Sequence, residues 1–231
     1  MSEAAPHSKI TNRLRTHRFL ALGDSYTIGE GVEASGRWPA QLVDLLRGSG
    51  HHIEDPEIIA RTGWTTDELL RGIQEARPAG PYDLVSLLIG VNNQYRGSPS
   101  DLYAQEFGEL LEGAIKLVGG DPRHVMVLSI PDWSVTPFAA EHDTSRIASE
   151  VDEFNAINRA AAQLYGTVYV DVTPSSRSAA GREDLLAADH LHPSADMYSE
   201  WARLAHTVAA EALGNGYSPS TDEPHSPARS R

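Results

Sequence analysis

Short apolar runs alternate along the chain with longer segments in which apolar residues recur every three or four positions. The apolar runs predict strands because they are almost continuous, as is typical of parallel strands buried on both faces. The amphipathic segments predict helices. The predicted strands cover residues 19–22, 57–60, 84–89, 125–130 and 167–172, and the predicted helices cover residues 38–47, a segment from 65, 98–118, 147–165 and 195–213. Such alternation predicts an α/β fold with three layers, in which helices cover both faces of a five-stranded parallel sheet.

Local signals place some helix boundaries more exactly. The sequence Thr65-x-x-Glu68 is typical of a capping box at a helix start. Ser98-Pro99 predicts a cap followed by the first helical residue. That helix is expected to end at Gly119-Gly120.

The pattern predicts one domain with two polar ends. With 231 residues, 40% of them hydrophobic, the chain is long enough for one sizeable core. We expect a polar N-terminal extension at 1–17, the domain at 18–213 and a disordered tail at 214–231, which is rich in Gly, Ser and Pro. The first 17 residues lack the apolar core of a secretory signal, so a cytoplasmic location is expected.

Composition excludes several kinds of function. The chain has no cysteine, which rules out disulfides, thiolate zinc sites and a cysteine nucleophile. Its formal net charge of -13 disfavours nucleic acid as a partner. No apolar run approaches the roughly 20 residues of a membrane span. Nothing in the sequence indicates an oligomeric state or a cofactor.

The predicted fold brings distant polar residues to one place. In a doubly wound sheet the loops after the strands meet at one edge, where ligands bind. Those loops carry Ser25, Gly63, Asn92-Asn93, Asp132-Trp133 and the segment Asp189 to His192. We therefore expect these residues to lie near one another.

Three of these residues have the chemistry of a nucleophilic site. A serine hydroxyl such as that of Ser25 needs a base within hydrogen-bond reach, and histidine is suited to that task. A carboxylate on the other ring nitrogen, here Asp189 beside His192, fixes the tautomer. His190 and His192 also form a His-x-His pair, which can be part of a metal site. No other cluster has convincing metal-ligand spacing, and no metal is expected.

The loop after the third strand offers a further polar group. Acyl transfer develops negative charge on a carbonyl oxygen, which fixed N–H donors must stabilise. The Asn92 amide, with the backbone N–H groups of Gly63 and Ser25, can supply three such donors. The alternative is an Asn-rich turn without chemistry, and Asp24 can equally serve only as the cap of the turn that presents Ser25.

Together these motifs resemble the four blocks of the SGNH (GDSL) hydrolase family. The blocks are Gly23-Asp24-Ser25, Gly63, Gly90-x-Asn92 and Asp189-x-x-His192, in the family's order over residues 18–213. The resemblance implies a flavodoxin-like α/β/α fold, a catalytic triad of Ser25, His192 and Asp189, and an oxyanion hole from Ser25, Gly63 and Asn92. It also implies hydrolysis of small-molecule esters, sometimes thioesters, without a metal.

Two positions depart from the family pattern. The third block often reads Gly-x-Asn-Asp, whereas this chain has Asn93. The residue after the triad aspartate is commonly small, whereas this chain has His190, for which the sequence suggests no role.

Other functions fit less well. The α/β-hydrolase elbow, Gly-x-Ser-x-Gly, is absent around Ser25, and so are a Gly-x-Gly-x-x-Gly motif and a P-loop lysine. A non-catalytic protein that binds small ligands on a hydrolase scaffold remains an alternative. Among esterases, the sequence does not separate a carboxylesterase from a carbohydrate O-acetyl esterase, a thioesterase or a lysophospholipase.

Substrate contacts are predicted only loosely. Trp64 and Trp133 follow strands and are candidates for a substrate pocket, although either can instead pack in the core. The segment 131–137 is long enough to act as a specificity loop.

Overall fold

A computed structural model describes residues 16–214 and confirms the predicted fold class. Its parallel sheet has the order β2-β1-β3-β4-β5, as in flavodoxin-like folds. The strands are β1 (Phe19–Gly23), β2 (Glu57–Ala60), β3 (Leu84–Leu88), β4 (Val125–Leu128) and β5 (Val168–Val170).

Helices cover both faces of this sheet. They are α1 (Ser25–Ile28), α2 (Trp38–Gly48), α3 (Thr66–Ala76), α4 (Val91–Tyr95), α5 (Ser100–Leu117), α6 (Thr144–Tyr165), α7 (Thr173–Arg177) and α8 (Ala195–Leu213). Helices α2 and α8 pack together in one layer, and α5 packs between α3 and α6 in the other. Strands β1, β3 and β4 are buried throughout because they lie between these layers.

The predicted site lies at the point of the sheet where the chain reverses the direction in which it adds strands. Strands β1 and β3 are neighbours, but the chain leaves β1 toward β2 on one side and β3 toward β4 on the other. The connections after β1 and β3 therefore diverge and leave a crevice at the carboxyl ends of the two strands. Helices α1 and α4 begin at this crevice.

Helix boundaries confirm one local prediction and correct another. Thr65 and Glu68 form the predicted capping box at the start of α3. Helix α5, however, begins at Ser100 with Pro99 as its cap, so the assignment of Ser98 as cap was wrong. The Pro99 carbonyl accepts the first helical bond, from Tyr103 N at 3.0 Å, while its own backbone is extended.

The predicted extension and tail lie outside the described residues, apart from 16, 17 and 214. His17 pairs with Ile53 in a parallel bridge that lies before β1 and β2. Within residues 16–214, no helix combines the length and apolarity needed to cross a membrane.

Candidate active site

Ser25 is presented by a very tight connection between β1 and α1. A side chain at Gly23 would place its Cβ 2.3 Å from the carbonyl oxygen of Leu88 on β3, so only glycine allows this close approach. Asp24 caps α1 by accepting a hydrogen bond from the backbone N–H of Tyr26 at 3.0 Å. Ser25 is the first residue of α1 and is buried.

A hydrogen-bonded chain joins Ser25, His192 and Asp189. The Ser25 Oγ lies 2.9 Å from His192 Nε2, and His192 Nδ1 lies 2.6 Å from Asp189 Oδ2. Because a carboxylate only accepts, the Nδ1–H donates to Asp189 and leaves Nε2 free to accept the Ser25 hydroxyl proton. The structure thus brings together the three residues that the sequence proposed as a triad.

The Asp189 carboxylate is held by the backbone of its own loop. Its Oδ1 accepts from the N–H groups of Leu191 and His192, each at 3.0 Å. Burial raises the pKa of Asp189, but hydrogen bonds from the His192 ring and these two N–H groups outweigh it, so the net pKa lies below the ordinary value. Asp189 therefore remains charged and oriented toward the imidazole.

The imidazole of His192 is also fixed by packing. Its ring centroid lies 5.0 Å from that of Tyr26, which in turn packs against Trp201 of α8. The His192 carbonyl accepts from Ala187 N at 2.7 Å, which closes the loop on itself. His192 is buried, so packing as well as hydrogen bonding orients its ring.

The carboxyl group of Asp24 is buried next to Ser25 in the chain. Asp24 is fully buried, and this desolvation raises its pKa to about 7, against the smaller opposing effect of the Tyr26 N–H. Its Oδ2 lies 3.5 Å from the amide nitrogen of Asn92. Asp24 thus contacts both the turn that carries Ser25 and the third loop.

The Asn92 amide is oriented by a backbone carbonyl. Its Nδ2 donates to Trp64 O at 2.9 Å. Since a carbonyl oxygen only accepts, this contact requires the nitrogen rather than the oxygen of the amide to face that side. Gly63, one residue before Trp64, has φ +84°, a conformation that favours glycine.

Ser25, Gly63, Asn92 and His192 line one cavity of about 190 Å³. Its other described lining residues are Tyr26, Thr62, Val91, Tyr95, Trp133, Phe138 and Leu191. None of these described lining residues is Lys, Arg, Asp or Glu, so the cavity suits an uncharged group.

Aromatic rings form one wall of this cavity. Trp133 is buried, and its ring centroid lies 5.6 Å from Tyr95 and 6.0 Å from Phe138. Its Nε1 donates to Gln94 Oε1 at 2.8 Å, which fixes the indole. Sequence reasoning did not identify Tyr95 and Phe138; their only signal was their position beside Asn92 and the 131–137 segment.

The side chain of Trp64 lies outside the cavity. Its indole ring packs over Gly72 of α3, where an added Cβ would come within 2.2 Å of the ring. It is not among the residues that line the cavity, and it meets the site through its carbonyl oxygen.

The structure shows the contacts of Asn93 and the backbone conformation of His190, the two residues that depart from the family pattern. Asn93 is buried, accepts from Thr66 N at 3.1 Å and donates to Thr66 Oγ1 at 2.7 Å, which ties α4 to α3. His190, directly after Asp189, has φ +57°, a left-handed conformation that is uncommon for residues other than glycine. Its ring is exposed and lies 4.0 Å from Glu183, away from the Ser25 chain.

Asp132 pairs with an arginine rather than with Ser25 or His192. It is buried, and its Oδ2 accepts from Arg177 Nε at 2.8 Å. Within residues 16–214, no group of three or more His, Asp or Glu side chains is arranged to hold a metal ion.

Comparison with known proteins decides the family. A model of the GDSL-like lipase/acylhydrolase family matches residues 21–199. The chain belongs to this family. This GDSL-like protein is therefore an esterase, as the four motifs implied. None of the curated protein sequences compared with it matches significantly.

Solved structures share the fold of this GDSL-like esterase. TesA aligns with TM-score 0.67 at 20% identity, covering 86% of this chain and 100% of that chain. The psychrotrophic esterase EstA from Pseudoalteromonas sp. aligns with TM-score 0.64 at 16% identity (83% and 96% covered). Axe2, an acetylxylan esterase from Geobacillus stearothermophilus, aligns with TM-score 0.63 at 19% identity (86% and 96% covered).

Proposed function

We propose that the protein cleaves carboxylic esters through an acyl-enzyme on Ser25. The observation that carries this proposal is the chain of hydrogen bonds from Asp189 through His192 to Ser25 at the wall of a cavity. Ser25 Oγ attacks the ester carbonyl carbon as His192 Nε2 takes its proton. Collapse of the tetrahedral intermediate breaks the C–O bond, and the proton passes from His192 to the leaving alcohol.

Water completes the cycle on the same residues. His192 removes a proton from a water molecule, which attacks the acyl carbon. Collapse of this second tetrahedral intermediate breaks the bond to Ser25 Oγ, His192 returns the proton to that oxygen, and the carboxylic acid leaves. In both steps we assign stabilisation of the oxyanion to the N–H groups of Ser25 and Gly63 and to the Asn92 amide. Asp189 keeps the imidazole in the required tautomer.

The cavity supports a short, uncharged acyl group. Its volume is about 190 Å³, and none of its described lining residues is Lys, Arg, Asp or Glu. We assign Trp133 to its wall, and we assign Trp64 an indirect role through the carbonyl that orients Asn92. This size favours short-chain carboxylic and acetyl esters over long-chain lipids.

The test is covalent labelling of Ser25. A fluorophosphonate probe is expected to modify the protein once, with the adduct on Ser25 by peptide mapping. Ser25→Ala is expected to abolish both the labelling and hydrolysis of p-nitrophenyl acetate. Labelling or hydrolysis that persists in folded Ser25→Ala would refute the proposal, and a binding protein without activity would show neither in the native chain.

A further inference from the structure

Two side chains of α4 and that of Arg96, the residue directly after it, bond the loop after β2. Asn92 donates to the Trp64 carbonyl, and Asn93 bonds both the N–H and the hydroxyl of Thr66. Arg96, one helical turn after Asn92, donates through Nη2 to the Gly63 carbonyl at 2.7 Å. The loop that carries Gly63 is thus hydrogen-bonded by side chains of α4, which also carries the Asn92 amide, and by Arg96.

Arg96 is itself anchored at a second point. Its Nη1 lies 3.3 Å from Glu68 Oε2, the carboxylate that also accepts from Thr65 N at 2.9 Å. The Thr65 N–H is the main cause of a lowered pKa at Glu68, with a smaller contribution from the Arg96 charge. One guanidinium therefore joins the Gly63 turn to the ionised carboxylate at the start of α3.

We infer that Arg96 is a positioning residue that holds the Gly63 turn in the orientation needed for an oxyanion donor. The inference rests on the proposed function. Gly63 has the left-handed φ of +84°, and its turn is closed locally by one hydrogen bond, from Trp64 N to Arg61 O at 3.2 Å. The shorter bond from Arg96 to the Gly63 carbonyl adds a second restraint on the same peptide group. A guanidinium provides such a contact because its planar fork can reach a carbonyl and a carboxylate together.

Stability alone does not account for this arrangement. The Arg96 and Glu68 side chains are 50% and 29% exposed, and exposed ion pairs contribute only about 0–1 kcal/mol to folding. Removal of Arg96 is therefore expected to leave the protein folded while it frees the Gly63 turn. The effect should appear in the chemical step.

The test compares Arg96→Ala and Arg96→Lys with a matched control, Arg47→Ala. Arg47 likewise bonds a carbonyl, that of Ile53 at 2.9 Å, and a carboxylate, that of Asp55 at 2.8 Å. These contacts lie near the His17–Ile53 bridge, before the strands and away from Ser25. Each variant is assayed with p-nitrophenyl acetate across pH, and its thermal unfolding is recorded.

For Arg96→Ala we expect kcat to fall about tenfold with little change in KM. This loss is smaller than the 10²–10³ caused by deleting an oxyanion donor, since the Gly63 N–H is still present. Arg96→Lys should retain more activity because an ammonium can still reach one acceptor. Arg47→Ala should keep the wild-type kcat, and the shape of the pH profile should be the same in all variants.

Wild-type kcat in folded Arg96→Ala, a loss confined to KM, or an equal loss in Arg47→Ala would overturn the inference. Ser25→Ala separates this outcome from failure of the proposed function. If Ser25→Ala is inactive and Arg96→Ala is not impaired, only the role of Arg96 is wrong. If Ser25→Ala remains active, the proposed chemistry itself is wrong.

Discussion

Replacement of Asp24 by asparagine should change how the stability of the protein depends on pH. Asp24 is fully buried, and burial raises its pKa from 3.8 to about 7. Asparagine has nearly the same shape and keeps an oxygen that can accept from Tyr26 N, so the cap of α1 is retained. The main change is the loss of a titrating group.

The sign and size of the effect follow from linkage. Above pH 3.8 the unfolded chain releases the Asp24 proton, whereas the folded chain keeps it until about pH 7. Stability from this group is therefore fully present below pH 3.8 and is lost as pH rises through about 7. The difference between a pKa of 3.8 and one of about 7, at 1.36 kcal/mol for each pH unit, makes the total about 4 kcal/mol.

Urea unfolding followed by tryptophan fluorescence between pH 4 and 8.5 would measure the contribution of Asp24 to the free energy of unfolding. The free energy of unfolding of the wild type minus that of Asp24→Asn should fall by about 4 kcal/mol across this range and then level off. Effects of the substitution that do not depend on pH cancel in the slope. Asp101→Asn, an exposed change in the first turn of α5, serves as the control. A difference that stays constant with pH would refute the reasoning, because Asp24 would then be ionised throughout.

Three further predictions concern the site. Asn92→Ala should lower kcat by roughly 10²–10³ with little change in KM, and a loss confined to KM would make Asn92 a substrate-binding group. His190→Gly should raise the free energy of unfolding by up to about 1 kcal/mol in urea titrations, because it relieves a left-handed conformation; a destabilised variant would contradict this. Along a series of p-nitrophenyl esters, kcat/KM should be highest for acyl chains of two to about six carbons, and a maximum at ten or more would show that the 190 Å³ cavity does not hold the acyl group.

Much of the fold could be predicted from hydrophobic pattern because the strands and long helices each bury a continuous or periodic apolar face. The short helices that position the candidate site could not be predicted in this way. Helices α1, α4 and α7 have only four or five residues, too few for a periodic pattern and too short to be stable alone. Local caps and tertiary contacts hold them instead: Asp24 caps α1, and Asn93 bonds Thr66 of α3 from α4.

The order of the strands explains which residues of the candidate site could be predicted from the sequence. Ser25, Asn92, Asp189 and His192 directly follow or end the connections that parallel topology brings together, so their positions follow from the order of strands. The direction in which a side chain points, such as the indole ring of Trp64, does not follow from strand order. Trp64 turns toward Gly72 because that glycine leaves room for it, and the Arg96 contact with Gly63 spans 33 residues. Neither contact has a local signal in the sequence.

The separation of the proposed nucleophile from its proposed base has a consequence for the way the protein becomes active. Ser25 and His192 are 167 residues apart, and their contact joins the loop after β1 to the loop before α8. During synthesis, a chain that has not yet emerged past residue 192 carries an inert serine. Under the proposed mechanism, ester hydrolysis therefore reports that residues 25–192 have folded together.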